Sequence, residues 1–315
     1  MGKDFIASDS SPQDWLAQTT EIARIAVEAG RAIMEVYERP DAWNVEVKHD
    51  ASPVTQADLR ANAMIVAALA RLTPEIPVLS EESPWTGADA ATYWAVDPLD
   101  GTREFLKRNG EFTVNIALVV KGVAQLGVIC APAFKTLWAG LCGDGISGSP
   151  TPWAARMTLS VLDPQSVADT GWQKMSATTD VLEPHVHPHT VSNTPHATQS
   201  ARPLRLVASR VRANADYPAW LTPLITGATV SAMGSSMKFC LIAQGDADLY
   251  VRMGPTCIWD TAAGHAILAA AGGHVVNAQT RTALSYPDPR QVRNPDFVAY
   301  GPRVTGASVI SLSSR

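Results

Sequence analysis

Apolar residues first recur at helical spacing. Ile22, Ile25, Ala26, Ala29, Ile33 and Val36 fall on one stripe that ends before Pro40. Ser11-Pro12 supplies a start, because a serine hydroxyl can cap free N–H groups and proline suits the first helical position. "SPVTQADLRANAMIVAALARL" (52–72) shows the same period after a turn and predicts a second amphipathic helix. The runs then shorten to strand length. "IPVLS" (76–80) stops at Glu81-Glu82, and "TYWAV" (92–96) stops at Asp97. "FTVNIALVV" and "AQLGVICAP" flank Lys121-Gly122 and predict a hairpin.

From 143 to 203 the pattern gives way to Ser, Thr, Pro and Gly, so an irregular exposed insertion is expected, with a strand near 157–162. Regular structure resumes at "LRLVASR" (204–210), continues with a strand in "DADLYVRM" (246–253) and ends in an Ala-rich helix, "TAAGHAILAAAGG" (261–273), stopped by Gly272-Gly273. The chain divides into an N-terminal α+β part, 1–203, and a C-terminal α/β part, 204–315.

Composition narrows the partners more than the fold. A formal net charge of −5 gives no field to attract a nucleic-acid polymer, so an anionic substrate needs metal ions or local Lys and Arg. The four cysteines, Cys130, Cys142, Cys240 and Cys257, show no paired spacing and are expected as free thiols in a reducing compartment. No apolar run reaches the roughly 18 residues of a membrane span, and the N-terminus lacks a signal-peptide core, so a cytoplasmic protein with no obligate protein partner is expected. Met1-Gly2 lacks the Ser or Thr at position 6 that a myristoylation site needs.

The candidate chemistry is carboxylate chemistry. Glu81 follows "PVLS", Asp97 and Asp100 follow "YWAV", and Asp260 precedes "TAAGHAIL". Strand ends of this kind converge at one sheet edge, where ligands of open α/β folds sit. Converging carboxylates repel one another unless a hard divalent cation joins them, and Mg²⁺ favours oxygen ligands and substrate phosphate. In "VDPLDGTREF" (96–105) Pro98 blocks ordinary strand pairing and Gly101 permits a tight turn. Asp97, Asp100 and the Leu99 carbonyl can then face one point, with the N–H groups of Gly101 and Thr102 beside them for an anion. Asp-Gly is also a common turn pair, Asp260 alone is more often a helix cap than a ligand, and Glu81-Glu82 alone is most often a solvated loop.

Taken in order, "SPVTQAD" (52–58), "LSEES" (79–83), "DPLDGT" (97–102) and "WDTAAG" (259–264) resemble the inositol monophosphatase superfamily of Mg²⁺-dependent, lithium-sensitive phosphatases. The resemblance spans about residues 20–300, apart from 143–203. It implies a layered αβαβα sandwich, the sugar-phosphatase fold. It also implies Glu81, Asp97, the Leu99 carbonyl, Asp100 and Asp260 as ligands of two or three Mg²⁺ ions. Glu81 and a Thr102–Asp58 pair would orient the attacking water, while Gly101 and Thr102 receive the phosphate that Glu81, Leu99, Asp100 and Asp260 surround. No covalent phospho-enzyme is expected.

Three longer stretches, "DGTREFLKRNGEFTVNIALV" (101–120), "GSSMKFCLIAQGDADLYVRMGPT" (234–256) and "WDTAAGHAILAAAGG" (259–273), are similar to the bacterial 3′(2′),5′-bisphosphate nucleotidases. Inositol monophosphatases tend to carry Asn where Glu104 stands. The narrower resemblance implies hydrolysis of 3′-phosphoadenosine 5′-phosphate, a by-product of sulfate assimilation, to AMP and phosphate. It also allows peripheral association with the inner membrane. A bisphosphate needs a second, metal-free anion site, and Lys238 and Arg252 with Ser235 or Ser236 could grip it through charge-assisted bonds. The alternative for both cations is solvated surface charge. Val211-Arg212 departs from the Ser-His that relatives often carry.

Other readings stay open. An inositol-1-monophosphatase or other sugar phosphatase keeps the same metal site. A metal-dependent nucleotide sensor would lack a catalytic element, yet Asp58, Glu81 and Thr102 are all present. In the D-x-D-G-T motif of aspartyl-phosphate phosphatases the carboxylates stand two apart, whereas Asp97 and Asp100 stand three apart. His185, His187 and His189 read as a solvated loop and His265 as a packing residue.

Overall fold

The computed structural model describes residues 12–43, 45–47, 53–87, 90–142, 152–168, 171–175, 203–209, 217–302 and 304. Ser11, the 185–189 histidines, Val211-Arg212 and most of 143–203 lie outside the described residues. Helix α1 (Pro12–Tyr37) buries the predicted stripe of Ile22, Ala26, Ala29, Ile33 and Val36. A short ribbon, β1 (Glu46–Val47) and β2 (Pro53–Val54), leads into α2 (Gln56–Leu72). Thr55 caps α2 by accepting from the Ala57 N–H at 3.1 Å, while the Asp58 carboxylate accepts from the Thr55 N–H at 2.8 Å.

Seven strands follow: β3 (Val78–Ser80), β4 (Thr92–Asp100), β5 (Thr113–Val120), β6 (Val123–Ala131), β7 (Thr136–Leu141), β8 (Trp153–Thr158) and β9 (Gln173–Lys174), with α3 (Thr102–Leu106) between β4 and β5. They form one sheet in chain order, β3 parallel to β4 and every other pair antiparallel. Lys121 and Gly122 both adopt positive φ, 49° and 80°, and close the predicted β5–β6 hairpin.

The second half supplies β10 (Arg205–Ala208), α4 (Thr222–Ile225), β11 (Thr229–Ala232), α5 (Met237–Ala243), β12 (Leu249–Arg252), α6 (Ile258–Ala270), β13 (His274–Asn277) and β14 (Phe297–Tyr300). Its five-stranded sheet runs β11-β10-β12-β14-β13.

Strand alternation assigns the layers. On β5, Val114, Ile116, Leu118 and Val120 pack into one core with α1 and α2. Ala117 and Val119 point the other way, into a core shared with α5, α6 and one face of the second sheet (Val207, Tyr250, Phe297). Leu206, Leu249 and Val298 face a third core with Leu221 and Ile225 beside α4. The order is helices, sheet, helices, sheet, helix, the expected αβαβα sandwich.

Two glycines let α6 lie close on the first sheet. A Cβ at Gly127 would stand 2.2 Å from the Ala263 carbonyl oxygen, and one at Gly140 would stand 2.4 Å from the Ile267 Cα.

Four local expectations change. The predicted 92–96 strand runs on to Asp100, because a bulge takes up Pro98: Asp97 pairs with Asn115 but Asp100 with Thr113. The strand expected near 157–162 is β8, Trp153–Thr158, whose "WAARMT" carries little apolar alternation. Part of the expected irregular insertion therefore extends the main sheet, and Val167 reaches the first core. Helix α6 begins at Ile258 rather than after Asp260, with Cys257 as its cap. All four cysteines are free, as expected.

Candidate active site

The bulge in β4 sets the first carboxylates. Asp97 is buried, and its Oδ1 accepts from the Leu99 N–H at 3.1 Å, which turns the chain at Pro98. Gly101 then adopts a φ of 94° and starts α3; a Cβ there would lie 3.0 Å from the Glu111 carbonyl oxygen. Glu81 follows β3, its N–H donating to the Val96 carbonyl, so it stands beside the end of β4. Asp260, in the first turn of α6, accepts from the Cys257 N–H at 2.6 Å.

These three elements bring one oxygen each of Glu81, Asp97 and Asp260 within 4.8 Å of one another. Asp100 stands next to this trio, with Oδ2 accepting from the Ser236 N–H at 2.5 Å and from the Asn115 amide at 3.3 Å. Burial, reinforced by the charges of Glu81, Asp100, Asp260 and Asp58, pushes the Asp97 carboxyl well above the usual carboxylate range. Burial and the Asp100 charge push Asp260 up to about 7. Burial also raises Asp100, with Lys238 pulling the other way. A trio of mutually repelling oxygens at ligand spacing fits a hard divalent cation.

Asp58 joins the site through Thr102. The threonine hydroxyl donates to Asp58 Oδ1 at 3.2 Å and shares its hydrogen with the Leu99 carbonyl at 3.4 Å. The other Asp58 oxygen accepts from the Thr55 hydroxyl at 2.6 Å and the Thr55 N–H. Burial raises the Asp58 carboxyl, against these hydrogen bonds.

Glu81, Asp100, Gly101, Thr102 and Asp260 line a cavity of about 480 Å³ that Ser235, Lys238 and Arg252 also line. Lys238 is only 5% exposed, which removes the solvated-charge alternative. Its ammonium donates to the Ser235 carbonyl and, at 3.3 Å, to that of Met233, and it lies 5.1 Å from the Tyr250 ring centroid. Burial lowers its pKa to about 8. Arg252 donates from Nη1 to the Ser209 hydroxyl at 2.9 Å and from Nη2 to the Pro255 carbonyl at 3.0 Å, while its buried Nε has no protein partner among the described residues.

Both candidate serines line the cavity, Ser235 at a φ of 49°, but the Ser236 hydroxyl is committed to Asn115 at 2.7 Å. Asn115 and Thr113 went unrecognised from sequence. The signal was present: two polar residues at i and i+2 in the otherwise apolar "FTVNIALVV" share one strand face. His265 proves to be a packing residue whose Nδ1 meets the Tyr286 hydroxyl at 3.0 Å.

Sheet, helices and carboxylate cluster together define the class, a layered αβαβα sandwich with an acidic site where strand ends and a helix start converge. The inositol monophosphatase family model matches residues 15–314, and the chain belongs to that family. The 3′(2′),5′-bisphosphate nucleotidase CysQ of Escherichia coli K12 is 40% identical over 280 residues, 88% of this chain and 97% of the relative. The protein of that name from Buchnera aphidicola is 38% identical over 266 residues, 83% of this chain and 84% of its own. The crystal structure of CysQ from Bacteroides thetaiotaomicron superposes with a TM-score of 0.66 at 34% identity, covering 91% of this chain and 98% of that one.

Proposed function

We propose that the chain is a Mg²⁺-dependent 3′(2′),5′-bisphosphate nucleotidase that converts 3′-phosphoadenosine 5′-phosphate to AMP and phosphate, in sulfur assimilation and nucleotide recycling in the cytoplasm. One observation carries the reading: a single cavity is lined both by carboxylates of the cluster, Glu81, Asp100 and Asp260, and by the cations Lys238 and Arg252. A substrate with one phosphate has use for only one of these features. The nucleotidase names of the relatives support the same substrate class. Among the described residues no helix is long and apolar enough to cross a membrane.

Glu81, Asp97 and Asp260, with Asp100 and the Leu99 carbonyl, would hold two or three Mg²⁺ ions. Bound there, the ions supply positive charge that neutralises the phosphate and acidifies water. The protein's own part is orientation. Because the Thr102 hydroxyl donates to Asp58, its oxygen keeps lone pairs that can accept a hydrogen bond from water. A water held by Thr102 and Glu81 points its own lone pair at phosphorus, in line with the departing 3′-oxygen. Gly101 and Thr102 receive the 3′-phosphate, while Lys238, Arg252 and Ser235 hold the 5′-phosphate. On this proposal the two parts of the chain differ in role: 1–203 carries most metal ligands and 204–315 the cations.

The test is phosphate release from 3′-phosphoadenosine 5′-phosphate, its sulfated form and inositol 1-phosphate in Mg²⁺, with and without Li⁺. The bisphosphate should lead and Li⁺ should inhibit. A lead for inositol 1-phosphate would overturn the nucleotidase assignment and leave a phosphatase of the same family. Tight binding of the bisphosphate without phosphate release would point to a sensor.

A further inference from the structure

Asp100 is held differently from the other carboxylates of the cluster. Its Oδ2 takes two protein donors, the Ser236 N–H at 2.5 Å and the Asn115 Nδ2 at 3.3 Å. The Asn115 Oδ1 accepts from the Ser236 hydroxyl at 2.7 Å, which closes a ring through Asp100, Asn115 and Ser236. Ser236 has one hydroxyl hydrogen, already given to Asn115, so at the 2.8 Å contact Thr113 must be the donor. Thr113 and Asn115 are 0% exposed and Ser236 is 2% exposed, so no water competes for these bonds.

Each link has one orientation, because reversing any of them leaves a buried donor or acceptor unmatched. The Asn115 amide cannot flip without presenting its oxygen to the Asp100 carboxylate. The Asp100 carboxylate is thus fixed in the plane that leaves Oδ1 for an outside partner. The ring also reaches the segment before α5. Glu111 Oε2 accepts from the Gly234 N–H at 2.8 Å, so two carboxylates hold the two N–H groups that flank Ser235. Asn115 stands opposite Asp97 across the β4–β5 pair, at the strand position where the bulge begins.

We infer that Asn115 and Ser236, backed by Thr113, are positioning residues that orient Asp100 for a divalent cation and tie that carboxylate to the segment carrying Ser235 and Lys238. The inference rests on the metal-dependent reading above. It predicts that loosening the ring weakens cation binding at its source rather than the chemical step. Partners that orient a ligand group in this way typically contribute about 10–100-fold to metal affinity.

The experiment titrates Mn²⁺ into the metal-free full chain and reads free Mn²⁺ by its EPR signal. It is combined with Mg²⁺-dependent kinetics on 3′-phosphoadenosine 5′-phosphate. Asn115→Ala should weaken Mn²⁺ binding by about 10–100-fold, and its kcat/KM should recover towards wild type in excess Mg²⁺. Ser236→Ala, which keeps the backbone donor, should weaken Mn²⁺ by roughly 3–10-fold and raise KM for the bisphosphate. Thr113→Val, isosteric and mildest, should shift Mn²⁺ by roughly 3-fold or less. A purely structural role would lower the melting temperature of these variants and leave the Mn²⁺ affinity of the folded protein unmoved, which would overturn the inference. Should Asn115→Ala not fold, Ser236→Ala with wild-type Mn²⁺ affinity and KM has the same force. A wild-type chain that binds no Mn²⁺ overturns the metal-dependent reading and the inference with it. Wild-type binding with unchanged variants overturns the inference alone.

Discussion

The acidic and cationic parts of the site are built on opposite principles. Asp97 is buried among Glu81, Asp100, Asp260 and Asp58, all of which push its carboxyl up. Lys238 is buried too, but its ammonium already donates to two backbone carbonyls and rests on Tyr250. Arg252 likewise has Ser209 and the Pro255 carbonyl, while its buried Nε has no partner among the described residues. The acidic part therefore carries a deficit that an outside cation would cancel, whereas the cations keep their geometry without a ligand. Preorganised cations lower the ordering cost of binding an anion, and a charge deficit raises the gain from binding a metal.

The harshest test of this contrast is Asp97→Asn. On the acidic side it should cut turnover by at least about 10³-fold, measured as phosphate release at saturating Mg²⁺. The same change removes a repelled buried charge, so the melting temperature of the metal-free protein should rise. Near-normal turnover would show that Asp97 is no metal ligand. A fall in the metal-free melting temperature would show that the cluster is not under repulsion.

The two parts were also unequally legible in the sequence. Each carboxylate follows a short apolar run or opens a helix, so Glu81, Asp97, Asp100 and Asp260 announce themselves locally. Helices α1 and α2 and the β5–β6 hairpin were legible for the same reason, since period and turn residues mark them, whereas their layering followed only from the family resemblance. The cationic part was less so: Lys238 and Arg252 were candidates, with solvated surface charge as the alternative. A lysine in "SSMKFC" looks like any surface lysine, and only tertiary packing shows that Lys238 is 5% exposed. The extension of β4 through Pro98 was hidden because a bulge depends on the partner strand, not on the residues themselves. The polar pair Thr113 and Asn115 was visible on β5, but the role of Asn115 was not, because it needs Ser236, 121 residues away.

On the cationic side, Lys238→Met keeps the stem and removes the charge. If the ammonium also holds the 5′-phosphate, KM for the bisphosphate should rise by about 10–100-fold, the range of a lost charge-assisted hydrogen bond. Adenosine 3′-monophosphate, which lacks the 5′-phosphate, should lose less than about 3-fold. Equal losses on both substrates would mean that Lys238 only locks the Met233–Ser235 segment.

A smaller effect separates the two parts by pH. The Asp97 and Asp260 carboxyls have folded pKa values above the ordinary carboxylate value, so the metal-free folded state retains protons that the unfolded chain releases. Their contribution is fully present below about pH 4 and is lost as pH rises through the folded values, about 7 for Asp260. His265, lowered to about 4 by burial, has the opposite sign between there and its ordinary 6.5. Lys238, at about 8, also has the opposite sign above that pH. The clean readout is therefore the rise in melting temperature on adding Mg²⁺, compared at pH 5 and pH 7.5. It should be larger at pH 7.5 by a few degrees, because Mg²⁺ competes with the retained protons. A pH-independent rise would mean that the ion does not sit among these carboxylates.

The gentlest perturbation is Ser209→Ala, which takes from Arg252 the acceptor of Nη1 and leaves the Pro255 carbonyl on Nη2. If the cations are preorganised, freeing one arm of the guanidinium lets it sample more orientations without removing charge. KM for the bisphosphate should then rise by about 2–5-fold, the equivalent of one neutral hydrogen bond, with kcat unchanged. Mn²⁺ affinity in the absence of substrate should not move, because Ser209 touches no carboxylate of the cluster among the described contacts. A tighter KM would reverse the contrast drawn between the two parts. It would mean that the serine holds Arg252 away from the phosphate, so that the cationic part, like the acidic one, waits for its ligand to complete it.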